Sequence, residues 1–331
     1  MSAIKPLYQC IIFGFTIFIG QIVIAKYIAH WIPAPQLGMP AIEKFHAILS
    51  TVQINSLLYF GDSTIRDNSP ADKDKSSIAA MIELIDPRLH VADASSLAYH
   101  LGVFEAMTER VCAAPIRPRG IIIPINLRSF SPEWDRRPEY QFDKEIFYLR
   151  HSDWIYNFSR PLEIFHAIGA TALSEKAFYA VPVYNDGVFI GSVGGFETEG
   201  IFPVRSAKTI RNFYLYDYSA RLSFNHRKML SLGAILAVMR TCGITPYVYV
   251  TPVDYEGGVR YAGSSLKKII SENAKIACSV ALQAGFSCLN LATALPSAYF
   301  THAELPNEHL NEYGRRSVAK ALAHFIRQSD K

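Results

Sequence analysis

A strong excess of either charge is lacking: 331 residues carry a formal net charge of only +4. No basic run and no interleaving of basic with aromatic residues supplies a nucleic-acid footprint, so a nucleic-acid partner is excluded as an expectation. Cysteine is also sparse. The five residues Cys10, Cys112, Cys242, Cys278 and Cys288 include no CxxC pair, which excludes the usual redox and zinc-ribbon spacings. The count is odd and the sites are scattered, so small buried thiols are expected rather than a disulfide framework. His90, His100, His151 and His166 show no HExxH spacing, so no metal is expected. The stretch GSVGG at 191–195 is not followed by Gly-Lys-Ser/Thr, which excludes a phosphate-cradling P-loop, and no cofactor is expected. Repeats and low-complexity tracts are missing too.

What the chain has in quantity is apolar material, 50% of its residues against 19% charged. That composition supports a large buried core and excludes wholesale disorder. One apolar run stands apart. Residues 7–25, LYQCIIFGFTIFIGQIVIA, carry no charge and would span about 28 Å as a helix, close to a bilayer's hydrocarbon thickness. Tyr8, Tyr27 and Trp31 flank it, where interfacial aromatics belong. The run is long and no A-x-A site follows, so an uncleaved transmembrane anchor over 1–31 is expected rather than a signal peptide. The lipid bilayer is then a partner through residues 7–25, and the main domain faces the periplasmic or extracellular side of the cytoplasmic membrane. Residues 32–54, with their prolines and alanines, read as a linker.

From residue 55 onward, strand-like and helical patterns alternate. Strands are expected over 56–62, 88–94, 119–126, 245–253 and 286–292. Helices are expected over 74–85 (capped by Asp74 or Ser76), 96–112, 226–243, 264–285 and 311–328. RGIIIPIN at 119–126 is almost wholly apolar, as a strand buried on both faces of a parallel sheet should be. The alternation predicts a three-layer α/β/α, flavodoxin-like parallel sheet of about five strands. Residues 127–225 break the rhythm and read as an inserted cap region. Within it, AFYAVPVYNDGVFIGSV at 177–193 carries Asn-Asp-Gly between alternating apolar runs, a hairpin signal.

In such sheets ligands bind beyond the carboxyl ends of the strands. The polar residues there are Gly61-Asp62-Ser63 after the first strand and Asp93, Ser95 and Ser96 after the second. Asn126 follows the third, Thr251 and Asp254 the fourth, and His309 comes just before the last helix. A serine hydroxyl needs a base to become a nucleophile, and a histidine at the same sheet edge can provide one. Each residue has a plainer role available: turn, cap, surface histidine. Their order and common placement favour chemistry. Asp62 is expected to contact substrate; for Arg128 and Asp254, structural pairing and substrate contact stay open. Trp134 and the aromatic-rich insert read as a small core or a sugar-stacking face.

Gly61-Asp62-Ser63, Asn126 and His309-Leu310-Asn311-Glu312-Tyr313-Gly314 resemble the blocks of SGNH (GDSL-type) hydrolases, over about residues 55–328. The resemblance implies Ser63 as nucleophile and His309 as base. It implies an oxyanion hole from the Ser63 N–H, a backbone N–H near Ala98 and the Asn126 amide. The slot where the family carries its aspartate holds Pro306, leaving Glu304, Asn307 and Glu308 to orient His309, or a Ser–His dyad. IIIPINLRSFSPEWDRRPEYQF and TPVDYEGG are similar to the membrane-anchored envelope branch, which includes teichoic-acid D-alanylation and exopolysaccharide acylation proteins. That branch implies a serine-dependent acyl esterase or O-acyltransferase acting on an acylated glycan or envelope polymer, with a membrane-bound acyltransferase as partner. The alternative is a non-catalytic assembly or binding protein of the same fold.

Overall fold

The computed structural model describes residues 4–23, 40–150, 176, 180, 182–185, 188–192, 206–301 and 308–330. Five parallel strands form the central sheet: β1 (Leu57–Tyr59), β2 (Val91–Asp93), β3 (Gly120–Ile125), β6 (Thr245–Val250) and β7 (Cys288–Asn290). Their spatial order is β2-β1-β3-β6-β7. Counted along the chain among themselves this is 2-1-3-4-5, the flavodoxin-like order expected from the sequence. The strand order reverses between β1 and β3, so their carboxyl ends open a crevice.

Side chains alternate across the sheet with the period of two that a strand imposes. Leu58 and Phe60 at β1, Ile121, Ile123 and Ile125 on β3, and Val248 and Val250 on β6 enter one core. Helices α2 (Pro40–Thr51), α4 (Leu101–Ala113), α8 (Arg227–Cys242) and α10 (Ser264–Gln283) cover it. Leu57, Tyr59, Ile122, Tyr247 and Tyr249 face the other way, beneath α3 (Ile78–Ile85) and α11 (Glu312–Ser329). Caps set the helix ends. Ser77, rather than Asp74 or Ser76, accepts from Ala80 N at the start of α3. Gly243 closes α8 at φ 71°, a left-handed conformation that a residue without Cβ adopts freely.

Several expectations are corrected. Residues 40–51, read as linker, form α2, which buries Ile42 and Phe45 in the core; residues 32–39 lie outside the described residues. Described parts of the span read as an inserted cap pack into the body. Helix α6 (Asp143–Arg150) supplies buried Tyr148 and Leu149, and α7 (Ala207–Tyr218) supplies Ile210, Tyr214 and Tyr218. A short α5 (Pro132–Arg136) precedes them. The expected hairpin forms, with β4 (Pro182–Asn185) antiparallel to β5 (Val188–Ser192).

Four cysteines are not thiols. Cys112 at the end of α4 bonds Cys242 at the end of α8, with Cα atoms 5.7 Å apart. Cys278 on α10 bonds Cys288 on β7 across 5.4 Å. The first pair is separated by 130 positions, and only the side-by-side packing of two helices brings it together. Cys10 is free. It belongs to helix α1 (Ile4–Val23), whose Ile11, Phe13, Phe15 and Phe18 side chains are exposed. Among the described residues no helix is long and apolar enough to cross a membrane, so the fold adds no support to the expected transmembrane span.

Candidate active site

The chain leaves β1 through Phe60, whose N–H donates to Ile122 O on β3 at 3.1 Å. A tight turn follows. A Cβ at Gly61 would stand 1.7 Å from Cδ1 of the buried Ile65, whose side chain would have to move to admit it. Asp62 then caps the 3-10 turn Ser63–Ile65, its Oδ1 accepting from Thr64 N at 2.9 Å and Thr64 Oγ1 at 2.6 Å. This holds the Ser63 side chain at the mouth of the crevice, partly exposed.

His309 arrives from the opposite end of the chain and is fixed from both sides. Its carbonyl accepts from Thr301 N at 2.9 Å. Asn311 N donates to Tyr299 O at 3.0 Å and Asn311 Oδ1 caps α11, accepting from Tyr313 and Gly314 N–H. Gly314 lies so close to Tyr299 O that a Cβ would come within 2.4 Å of it. The wholly buried Arg315 donates to Leu310 O and to Asp72 Oδ2, each at 2.8 Å. The outcome is that Ser63 Oγ lies 3.0 Å from His309 Nε2. That is within reach for proton transfer between a nucleophile and its base.

The loop after β2 docks on the serine turn through Ser96 N, which donates to Gly61 O at 3.0 Å. Two residues on, Ala98 has φ 61°. This left-handed conformation costs about 1 kcal/mol in a residue with Cβ and is one that glycine adopts freely. Neither the Ser63 nor the Ala98 N–H donates to another described residue, so both are free to meet an incoming oxygen.

Asn126, at the end of β3, has a different set of partners. Its Oδ1 accepts from Arg128 N at 3.0 Å, while its amide nitrogen donates to Asp62 Oδ2 at 2.8 Å and to Glu308 Oε1 at 3.4 Å. The structure therefore aims the amide, expected as an oxyanion donor, at two carboxylates. Glu308 is 2% exposed. Its Oε1 also meets Arg128 Nη1 at 3.3 Å, and its Oε2 accepts from Tyr218 OH at 2.8 Å. Burial alone would raise the Glu308 carboxyl, but Arg128 and His309, with hydrogen bonds from Tyr218 and Asn126, hold it below the usual glutamate range. Burial raises Asp62, and repulsion from Glu308 adds to this against the hydrogen bonds from Thr64 and Asn126. Burial opposes the charge on Arg128, but Asp217, 3.6 Å from its Nε, and Glu308 outweigh it and push its pKa well above the ordinary value.

Of the sequence-predicted residues, Ser63, His309, Asp62, Asn126, Ala98, Arg128 and Glu308 are brought to one sheet edge. Glu308 comes there as the hub of an Arg128–Tyr218–Asn126 network. Glu304 lies outside the described residues. Asp254 is assigned to other work. It is fully buried, caps α9 (Tyr255–Ala262) by accepting from Gly257 N at 2.9 Å, and also accepts from Ser297 Oγ and from Tyr214 OH. No surface is left for a substrate to touch.

One site residue escapes the sequence patterns. Asp67 Oδ2 stands 3.6 Å from His309 Nε2, on the same nitrogen that faces Ser63. Its N–H donates to Ser63 O at 2.8 Å, and this i, i+4 relation to Ser63 was the available signal. With Arg66, Asn68, Thr301 and His309 it lines an open cleft of about 370 Å³.

No family model matches the chain, and no curated protein matches it. Among solved structures the chain is similar to LAE5, an alpha/beta hydrolase enzyme from the metagenome of Lake Arreo, Spain. The identity is 12%, 84% of this chain and 99% of that chain are covered, and the TM-score is 0.39. A likeness this distant leaves the site's own geometry as the ground for any functional reading.

Proposed function

We propose that the protein performs serine-dependent acyl-ester chemistry, as esterase or O-acyltransferase, on an envelope or extracellular polysaccharide. The observation that carries this reading is the 3.0 Å contact between Ser63 Oγ and His309 Nε2 at the crevice where the strand order reverses. In this scheme Ser63 Oγ attacks the acyl carbonyl while His309 Nε2 takes its proton. The oxyanion that develops meets the Ser63 and Ala98 N–H groups, and each such donor is worth about 3 kcal/mol. The intermediate collapses to the acyl-enzyme as His309 returns the proton to the departing sugar oxygen. Water or an acceptor hydroxyl then attacks the acyl-enzyme with His309 again as base, which makes the enzyme a hydrolase or a transferase. The cleft lining of Arg66, Asp67, Asn68 and Thr301 suits a hydroxyl-rich glycan better than a long apolar chain.

The exposed apolar side chains of α1 support attachment to a bilayer, and two disulfides suit an oxidising compartment outside the cytoplasm. A membrane-bound acyltransferase that hands over the acyl group is the partner this placement implies. The direct test is labelling with a fluorophosphonate probe, with a defined O-acetylated glycan as substrate. Wild type is expected to be labelled and to turn over. Ser63→Ala should lose both, with a fall of at least about 10³-fold.

A specific observation favours a second reading, a non-catalytic glycan-binding or assembly protein on the same fold. Both Glu308 oxygens and the Asn126 amide are engaged within the protein. Unlabelled wild type that still binds the acylated glycan would select that reading.

A further inference from the structure

The second residue of helix α8 is a lysine where few folds place one. Lys228 is 1% exposed, and its side chain runs inward beneath the loop that follows β3. The ammonium donates to Trp134 O at 2.8 Å and to Ser129 O. Asp135 Oδ1 lies 3.8 Å away, the only carboxylate paired with it among the described residues, and Asp135 is also paired with His226 and Arg227. Ser129 belongs to the 3-10 turn Leu127–Phe130 and Trp134 to α5. Carbonyls near a helix carboxyl end lack partners within the helix and carry the negative end of its dipole. One buried cation therefore gathers the open carbonyls of two consecutive short helices.

What those helices carry makes the contact matter. The turn is held at its start by Asn126, whose Oδ1 accepts from Arg128 N and whose carbonyl accepts from Ser129 N and Ser129 Oγ. The same Asn126 reaches Asp62 and Glu308, and Arg128 reaches Glu308 and Asp217. The turn is thus fastened at one end to the serine and histidine segments and at the other to Lys228.

We propose that Lys228 is a positioning residue for this site: its buried amine fixes the Asn126–Trp134 loop so that Asn126 and Arg128 meet Asp62 and Glu308. The effect on activity rests on the acyl-ester reading above; the effect on the loop does not. Burial of the group is costly. It lowers Lys228 to about 7, with Asp135 opposing and Arg227 adding to the shift. A cost of that kind is retained where the group does something that an apolar residue could not. The neutral amine keeps two N–H donors, so both carbonyls stay served in either protonation state.

The test uses the full chain with Lys228→Met, which keeps the side-chain length, and Lys228→Gln, which keeps two N–H donors. Amide exchange is followed alongside steady-state kinetics on an acyl ester. In Lys228→Met, exchange at residues 127–131 should speed up at least about tenfold relative to the β3 and β6 amides. The kcat should fall by about 10- to 100-fold, as expected for a small misplacement of catalytic groups, with KM within about threefold. Lys228→Gln should recover part of both. Unchanged exchange at 127–131, or a loss spread evenly over the whole sheet, would overturn the proposal. If the wild type turns over no ester, the acyl-ester reading fails, and the exchange arm still decides the role of Lys228.

Discussion

Two layers of the same site differ sharply. The upper layer, Ser63, His309 and Asp67, is at least partly exposed, and its His309 and Asp67 line the open cleft. Directly behind it, Asp62, Asn126, Glu308 and Tyr218 are buried and bound to one another, with Arg128 joining at the edge. On the proposed acyl-ester reading, the upper groups are those that move protons and meet a substrate. The lower layer holds charged groups, Glu308 with Arg128, in a low-dielectric place, where an unpaired ion is costly and a paired one is rigid. The contrast separates chemistry from positioning within a few residues: Glu308 and His309 are neighbours in sequence and lie in different layers.

The largest effect that would break this comparison is expected in the lower layer. Glu308→Gln removes the buried charge that Arg128 and Tyr218 share and leaves the partly buried Arg128 guanidinium under-compensated. Losing one partner of a buried pair costs about 3–5 kcal/mol, and urea unfolding should show a loss in that range. A loss below about 1 kcal/mol would mean that Glu308 is no structural hub. The next effect concerns pH. Folded Lys228 gives up its proton near pH 7, whereas the unfolded side chain keeps it to about 10.5. The unfolded chain therefore binds more protons across that interval, so stability rises with pH between about 7 and 10. The rise should be absent in Lys228→Met when unfolding is compared at pH 7 and pH 9. The smallest effect belongs to the upper layer. Asp67 is about half exposed, so Asp67→Asn should leave stability within about 0.5 kcal/mol. Fluorophosphonate labelling of Ser63 should slow by about two- to fivefold, the scale of an exposed ion pair. A large stability loss in this variant would move Asp67 into the lower layer.

Much of the fold is legible in residue patterns because local rules govern it. The all-apolar Ile121–Ile125 segment reads as a strand buried on both faces, and it is one. Gly243 and Gly285 read as helix stops, and both have positive φ. The predicted strands Ser56–Asp62 and Arg88–Ala94 overrun the ladder pairs of Leu57–Tyr59 and Val91–Asp93 by one residue at one end and three at the other, because pattern alone does not show where the chain leaves the ladder. Helix α2 is missed because its first residue, Pro40, and the preceding segment resemble linker composition, and only burial of Ile42 and Phe45 gives it a reason to form. The cysteines mislead for a related reason. Their pairing depends on which helices lie side by side, and sequence spacing does not encode that.

The site divides the same way. Sequence alone determined that a Gly-Asp-Ser turn, an asparagine and a histidine stand at strand ends of one parallel sheet, because turns, caps and hydrophobic periods are short-range. Tertiary structure alone decided what those residues face. It sent Asp254 into a helix cap, turned the Asn126 amide towards two carboxylates, tied Glu308 to Arg128 and Tyr218, and set Lys228 beneath them. Apart from the Asp254–Gly257 cap, each of these contacts joins residues far apart in the chain. Its free energy depends on burial and on the charges nearby, which exist only once the layers have packed.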